Sequence, residues 1–430
     1  MGSDTLTINS VKYYRPTQTV VVVGIDGCDP KYIEQGLEDG IIPNIERMIG
    51  QGFYCIADCI VPAFTNPNNV SIITGSPPSV HGISANFFID PETGEGVQMT
   101  DPKYIRVPSI LAEFSRNGAK VVSITAKDKL RRLLGKGINI AGGSVNFSSE
   151  KADQCTPAKN GIDNVLSLVD MPLPDVYSAD LSLFVLEAGV KILERDRPDL
   201  MYLFTTDFIQ HKHAPGTDVS NKFLSQIDNA IGRLIDLGAI VGVTADHGMN
   251  ERMTPDGSPN VIYLQDEIDK EFGTGAYRVV LTFTDHYVVH HSLISGYTGV
   301  YCQAATSTEA LINFVSTLPG VEAAYDRPTA CELFDLPPDR QPDVIVISSG
   351  DTGIGSSESE HDLSDLQGFP LRTHGGVSEQ RVPFIVSAPL NDAYVARAAS
   401  GRVRNWHIFD YVINGTRRCL TSYKLEQSPA

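Results

Sequence analysis

The chain has no excess of positive charge. Its 34 lysines and arginines stand against 52 aspartates and glutamates, a formal net charge of -18. With a pI near 4.9, this argues against a nucleic-acid-binding or anionic-membrane surface. The seven cysteines are scattered, with no CxxC pair. An odd, dispersed set suits reduced thiols better than a disulfide framework. No segment approaches the ~20 consecutive apolar residues of a membrane span. The start, Met1-Gly2-Ser3-Asp4-Thr5-Leu6, carries neither a basic nor an apolar signal region. Gly2 invites an N-myristoylation reading, but Leu6 stands where Ser or Thr is wanted. There is no internal repeat and no low-complexity tract. The expectation is a soluble, cytoplasmic protein, with a homodimer as one option for its assembly.

What is present is a large apolar fraction, 42% of 430 residues, enough for one big domain and a smaller one. Short β-branched runs end at chemically active residues. Val20-Val21-Val22-Val23-Gly24-Ile25 leads into Asp26, and Met201-Tyr202-Leu203-Phe204-Thr205-Thr206 into Asp207. Ile240-Val241-Gly242-Val243-Thr244-Ala245 leads into Asp246-His247-Gly248-Met249. Such runs read as buried parallel strands. In open α/β sheets, ligands bind beyond the carboxyl ends of the strands. Asp and His together suit Zn²⁺ or a similar divalent ion. Bound dications would also give this acidic chain the local positive charge that an anionic substrate needs.

The alternation of strands and helices, with a helix over Val185–Arg195 and a strand over Lys120–Ile124, predicts a doubly wound, mostly parallel α/β core. The pattern changes after Met249. Strands are expected at Tyr277–Thr284, Tyr287–His291, Gly299–Ala304 and Val344–Ser348, and a helix at Ser307–Leu318. Ser349–Gly368 reads as a loop, and the core resumes with a strand at Val382–Ser387. The expected organisation is core over 16–254, an inserted α+β cap over 255–367, and core again over 368–420.

Asp207 and His211 stand at i and i+4, one face of a helical turn, a spacing that can chelate an ion. The competing reading is a helix-start Asp with a surface His. Asp246 could equally be a strand-ending cap, and His374 in Thr373-His374-Gly375-Gly376 a plain turn histidine. Thr65 falls at or just before the start of a short helix ending at Gly75. It is either an N-cap or a nucleophile whose neighbouring amides would hold a phosphoryl oxygen. No single member decides; the set does.

These motifs are similar to those of the alkaline phosphatase superfamily, in its nucleotide pyrophosphatase/phosphodiesterase-like branch. They run from Ile25-Asp26-Gly27 and Thr65-Asn66-Pro67-Asn68, through His81-Gly82-Ile83, Asp207 with His211 and Asp246-His247-Gly248-Met249, to Thr373-His374-Gly375. The resemblance implies a threonine nucleophile, Thr65, and two Zn²⁺ per chain. One zinc would take Asp207, His211 and His374, the other Asp26, Thr65, Asp246 and His247. Asn86 matches the asparagine that donates to a phosphoryl oxygen. Within Ile124-Thr125-Ala126-Lys127-Asp128-Lys129, an extended backbone would point Lys127 and Lys129 to one side, where two ammonium groups bind a small carboxylate. The alternative is two solvated surface lysines. That pair resembles the phosphonoacetate hydrolases of the superfamily. It implies cleavage of the carbon–phosphorus bond of phosphonoacetate, a small anionic substrate, to acetate and phosphate. His213 could reach the leaving group or be structural. His81 and His407 read as structural, and His286, His290 and His291 receive no role. Two further readings stand: a nucleotide pyrophosphatase/phosphodiesterase or other phosphate-ester hydrolase with the same metal site, and a non-catalytic metal-binding protein.

Overall fold

A computed structural model describes residues 4–417, apart from 92, 285–292, 304–305 and 367. The main sheet has seven strands, here β1 (Val20–Gly24), β2 (Phe53–Asp58), β3 (Val121–Thr125), β4 (Val145–Ser148), β5 (Leu200–Phe204), β6 (Ile240–Thr244) and β7 (Arg381–Val386). Their spatial order is β2-β7-β6-β1-β5-β3-β4. The neighbours from β6 to β4 are parallel, and β7 runs antiparallel between β6 and β2. Every residue of β1, β3 and β5 is buried. Strands buried on both faces need helices on both faces, which is why their sequences are continuous apolar runs rather than alternating ones. The long helices Asp180–Asp196 and Asp218–Asp236 supply part of that cover and pack on each other. No helix among the described residues is long and apolar enough to cross a membrane.

Between His247 and His374 lies a second sheet of four antiparallel strands, ordered Tyr277–Val280, Tyr297–Cys302, Val344–Ser348 and Val321–Asp326. It has its own core, including Leu264, Ile268, Val300, Val315, Val344 and Val346. A third cluster seams the two sheets together, joining Val61 and Phe64 to Phe283, Tyr297, Ile345 and Ile347. Phe64 stacks on Phe283 at 4.9 Å and meets Tyr297 edge-on at 5.9 Å. Such pairs add about 0.5–1.5 kcal/mol each beyond their area burial.

The elements depart from the sequence reading in several places. The strand expected to reach Thr284 stops at Val280, and the helix expected over Ser307–Leu318 spans Thr308–Val315. The expected loop 349–368 contains a strand, Gly353–Gly355, paired in parallel with Val261–Tyr263. Local propensity hides it, because two of its three residues are glycine; a Cβ on Gly353 would lie 2.4 Å from Ile294, so the close approach needs glycine. The strand expected at Tyr287–His291, with His286, His290 and His291, lies outside the described residues, as does Ala304.

Candidate active site

One edge of the main sheet gathers the chemistry. Gly24 is in register with Phe204 and with Thr244, so β1, β5 and β6 end level with one another. Asp26, Asp207 and Asp246-His247 follow those three ends directly. Because β7 runs the other way, the residues preceding it, His374 among them, reach the same edge. The end of β2 arrives there too, since Asp58 pairs with Arg381, and the chain continues to Thr65. Gly27, at φ +66°, makes the turn that brings Asp26 beside Asp246, whose Oδ1 accepts the Gly27 N–H at 3.2 Å. The Asp26 N–H donates to Thr205 Oγ1 at 2.9 Å.

Three imidazoles are aimed by backbone carbonyls. Nδ1 of His211 lies 2.6 Å from Arg372 O, Nδ1 of His374 2.6 Å from Ala63 O, and Nδ1 of His247 2.9 Å from Gly248 O. A carbonyl only accepts, so each Nδ1 carries a hydrogen, and in the neutral ring each Nε2 offers a lone pair. Those Nε2 atoms face carboxylates. His211 is 2.8 Å and His374 3.6 Å from Asp207 Oδ2, while His247 is 3.4 Å from Asp26 Oδ1 and 3.2 Å from Asp246 Oδ2. The result is two buried groups, Asp207–His211–His374 and Asp26–Asp246–His247, with ligand atoms in each within 4.8 Å of one another. The His247 and His374 rings stack at 3.5 Å between them. Asp207 and His211 sit on a single α-turn, closed by His211 N–H to Asp207 O at 3.0 Å, rather than on a longer helix.

Thr65 is the first residue of the helix Thr65–Thr74, and that helix has no side-chain cap. The hydroxyl is therefore not used as a cap; Oγ1 lies 3.3 Å from His247 Nε2. Buried asparagines hold the turn: Asn69 Nδ2 donates to Thr65 O at 3.0 Å and receives Tyr202 O–H on Oδ1 at 2.7 Å. Asn86 Oδ1 accepts the Asn66 N–H at 3.4 Å, which leaves its Nδ2 donor for the cavity. That cavity has a volume of about 40 Å³, room for a few water-sized groups, and Asp26, Thr65, Asn86, Lys127, Lys129 and His374 are among its walls. Lys127 and Lys129 arrive differently from the expected extended pair. Lys127 is extended at φ -101°, ψ 140°, but the helix Asp128–Leu134 begins next, so Lys129 is in its first turn. His213 is not among the cavity walls: its ring packs edge-on against Phe369 at 5.4 Å, and its carbonyl accepts Tyr32 O–H at 2.6 Å. Sequence reasoning missed Asn66, Thr205, Thr206 and Phe283, which also line the cavity. The first three adjoin motifs already singled out; Phe283 comes from the second sheet and has no local signal.

The family model for type I phosphodiesterase / nucleotide pyrophosphatase matches residues 20–376. The chain belongs to that family. The crystal structure of phosphonoacetate hydrolase from Sinorhizobium meliloti 1021 in complex with phosphonoformate is 44% identical to it, with a TM-score of 0.92, over 97% of this chain and 100% of that one. The same enzyme with phosphonoacetate aligns at 42% identity and a TM-score of 0.91. Among curated sequences, an uncharacterized pyrophosphatase/phosphodiesterase of Schizosaccharomyces pombe is 23% identical over 58% of this chain, which spans 44% of that relative's length. A phosphonoacetate hydrolase of Penicillium oxalicum is 61% identical over 28 residues, 6% of this chain and 39% of its own. The chain thus spans less than half the length of these curated relatives.

The family is one of metallo-hydrolases, and the residues present fit metal ions. Neutral imidazole nitrogens facing carboxylate oxygens at 2.8 to 3.6 Å are acceptors opposed to acceptors, an arrangement that a cation between them resolves. Asp26 Oδ1 and Asp246 Oδ2 are buried with no hydrogen-bond partner. Burial, then the nearby Asp207 carboxylate, pushes Asp246 up to about 8; burial with Asp207 and Asp246 pushes Asp26 well up. Burial also acts to raise Asp207, but His211, His374 and Lys127 outweigh it and hold it well below the usual range. Burial keeps His247 and His374 low, which suits neutral ligands. Three buried carboxylates packed this closely are stable as anions only with compensating positive charge.

A buried ion pair ties the ligand loops together. Arg252 and Glu379 are both fully buried and 2.8 Å apart. Glu379 Oε2 accepts the Gly376 N–H at 2.8 Å, beside His374, and Glu379 O accepts the Gly248 N–H at 2.7 Å, beside His247. Arg252 Nη1 donates to Ser349 O at 2.6 Å, reaching the end of Val344–Ser348 in the second sheet. The loops carrying His247 and His374 therefore share one charged anchor.

Proposed function

We propose that this protein is a di-zinc phosphonoacetate hydrolase, cleaving the carbon–phosphorus bond to give acetate and phosphate, with Thr65 as nucleophile. The observation that carries this reading is that Lys127 and Lys129 share one small cavity with Thr65, Asn86 and members of both ligand groups. The likeness to the S. meliloti enzyme over nearly the whole chain supports it. One zinc would be held by Asp207, His211 and His374, the other by Asp26, Asp246 and His247 with Thr65. Bound there, the ions supply Lewis-acid charge to phosphoryl oxygens and lower the pKa of the Thr65 hydroxyl.

The chain's own groups do the rest. The Asn86 amide donates to a phosphoryl oxygen, and the first amides of the Thr65–Thr74 helix add their dipoles. The ammonium groups of Lys127 and Lys129 hold the carboxylate and so aim the phosphorus at Thr65 Oγ1. As the new O–P bond forms, the C–P electron pair leaves toward the α-carbon and delocalises onto the carboxylate as an enolate. Negative charge grows beside the two lysines, so they stabilise the transition state more than the ground state. Protonation of the α-carbon by water gives acetate, and hydrolysis of the phosphothreonine releases phosphate.

The test is a substrate panel on the zinc-loaded protein: phosphonoacetate, phosphonopyruvate, a nitrophenyl phosphate and a nucleotide diester. Phosphonoacetate should be the best substrate, and chelation should abolish turnover until zinc is restored. A preference for the diester would establish the nucleotide phosphodiesterase reading instead. Full activity in a metal-free preparation would end both.

A further inference from the structure

The cavity at Thr65 is closed on one side and bordered by more space on another. On the closed side Phe283, which is buried, stacks on Phe64 and presents its edge to His374 at 4.8 Å. Lys127 and Lys129 line the cavity and also line a second one of about 430 Å³. The partition between the two spaces therefore includes lysine side chains, whose four-carbon stems are flexible. The outer space is lined as well by Arg132, Lys151, Val176 and Tyr177.

Its charge is the reverse of the chain's. Four basic side chains, Lys127, Lys129, Arg132 and Lys151, face two acids, Asp128 and Glu150. Both acids are already engaged. Asp128 receives Arg131 Nε at 2.7 Å, Ser148 Oγ at 3.1 Å and Arg132 Nε at 3.3 Å. Glu150 Oε2 receives the Asp128 N–H at 2.8 Å, and Oε1 lies 3.5 Å from Lys151 Nζ. The Arg132 and Lys151 side chains are 59% and 47% exposed, the two carboxylates only 19% and 23%. An arriving molecule meets the cations, in a chain whose net charge is -18. Tyr177 and Val176 add an apolar wall for methylene groups.

We propose that the outer cavity is a subsite for the tail of longer substrates, namely phosphonoacetyl amides of amino acids with a free distal carboxylate. The proposal rests on the phosphonoacetate reading. A carboxylate at the lysines ends the molecule there, whereas an amide carbonyl can accept the same N–H donors and continue past them. The tail of such a compound adds about five to nine heavy atoms; at roughly 30 Å³ each they occupy well under 430 Å³. Arg132 and Lys151 then receive the distal carboxylate. The chemistry balances as for phosphonoacetate. Thr65 Oγ gives its proton to water as it bonds to phosphorus, the C–P pair moves to the α-carbon and onto the amide oxygen, and that water returns the proton to the α-carbon to complete the N-acetyl amino acid. A second water releases phosphate from Thr65.

The experiment uses the zinc-loaded full chain with phosphonoacetate, phosphonoacetamide and N-(phosphonoacetyl)glycine, following phosphate release and, by calorimetry, binding. N-(phosphonoacetyl)glycine should be turned over with kcat/KM at least tenfold above phosphonoacetamide, which has no tail. Arg132→Gln with Lys151→Gln should cut that advantage fivefold or more and change phosphonoacetate turnover less than twofold. Arg132→Gln alone should give a smaller loss of the same kind, should the double variant fold poorly. Equal kcat/KM for the amide with and without its tail would overturn the proposal, as would equal losses on all three compounds in the variants. If phosphonoacetate itself is not cleaved, the underlying reading fails separately. The calorimetric comparison then decides the subsite alone: tighter binding of the tailed amide that depends on Arg132 and Lys151 supports it, and its absence refutes it.

Discussion

Replacing Lys129 by methionine should make the protein more stable while removing its activity on phosphonoacetate. Lys129 sits in the wall of the catalytic cavity, where burial first, and the Lys127 ammonium second, lower its pKa from 10.5 to about 7. The folded state thus disfavours a charge that the unfolded chain carries freely. Between pH 7 and 10.5 the unfolded state binds more protons than the folded one, so this residue makes stability rise with pH across that window. Below about 7 the full penalty applies. At 1.36 kcal/mol per decade its upper limit is ~5 kcal/mol, and partial solvent access reduces this to about 2–4 kcal/mol. Methionine has a similar length and no charge, so Lys129→Met should raise the melting temperature at pH 7 by several degrees. On the proposed mechanism the same change also removes a charge-assisted contact to the carboxylate, worth about 1.5–3 kcal/mol, or about 10- to 150-fold in kcat/KM. Turnover of a nitrophenyl phosphate should fall much less, because the metal ligands and Thr65 are untouched. Calorimetric melts at pH 7 and pH 10 and paired kinetics on the two substrates check both halves. A lower melting temperature would contradict the burial argument. Equal losses on both substrates would contradict the carboxylate role.

Thr65→Ala should lower kcat at least a hundredfold, about 2.7 kcal/mol, while zinc content stays near two per chain; near-normal turnover would mean that water attacks directly. Glu379→Gln leaves Arg252 buried without its counter-charge and should cost about 3–5 kcal/mol in chemical denaturation, with weaker zinc retention, because its carboxylate also holds the Gly376 N–H beside His374 and the Asn250 amide just past His247. His81 is buried and accepts the Ile83 N–H on Nδ1 at 3.1 Å, so Nε2 carries the proton toward Ser71 Oγ at 2.8 Å. Burial, with Arg340 and Arg106 nearby, lowers its pKa to about 3. Its contribution is present above the unfolded value of about 6.5 and is lost as pH falls from there toward 3, up to ~5 kcal/mol. His81→Asn should flatten the acid limb of the stability profile over that range; an unchanged slope would show that His81 protonates without cost.

Much of the fold was legible along the chain because it is written in local signals. The strands ending at Asp26, Asp207 and Asp246 are continuous apolar runs, and a run buried on both faces of a parallel sheet has no other way to look. Val344–Ser348 lies in the antiparallel second sheet but is also buried along its whole length, and its apolar run marks its bounds equally well. The glycine-rich strand Gly353–Gly355 was not legible, because its reason for being glycine is a neighbour, Ile294, about sixty residues away in sequence. Lys127 and Lys129 show both sides. Their place after a strand was visible, but the extended geometry imagined for them was replaced by the start of a helix, and the two still meet one cavity.

Residue types and their order were determined by sequence alone: which carboxylates and imidazoles end which strands, a threonine beside a helix start, two lysines after β3, and an acidic chain that needs cations to hold an anion. Only the tertiary structure decided which of them share space. It set the carbonyls of Ala63, Gly248 and Arg372 against three Nδ1 atoms and so turned three Nε2 atoms inward. It moved His213 off the cavity onto Phe369, and it brought Phe283 from a different sheet to the wall beside Thr65. The physical reason is range. Apolar periodicity and turn chemistry act over a few residues, whereas a hydrogen bond such as that from His374 to Ala63, 311 positions apart, exists only once the sheet edge has gathered its strand ends.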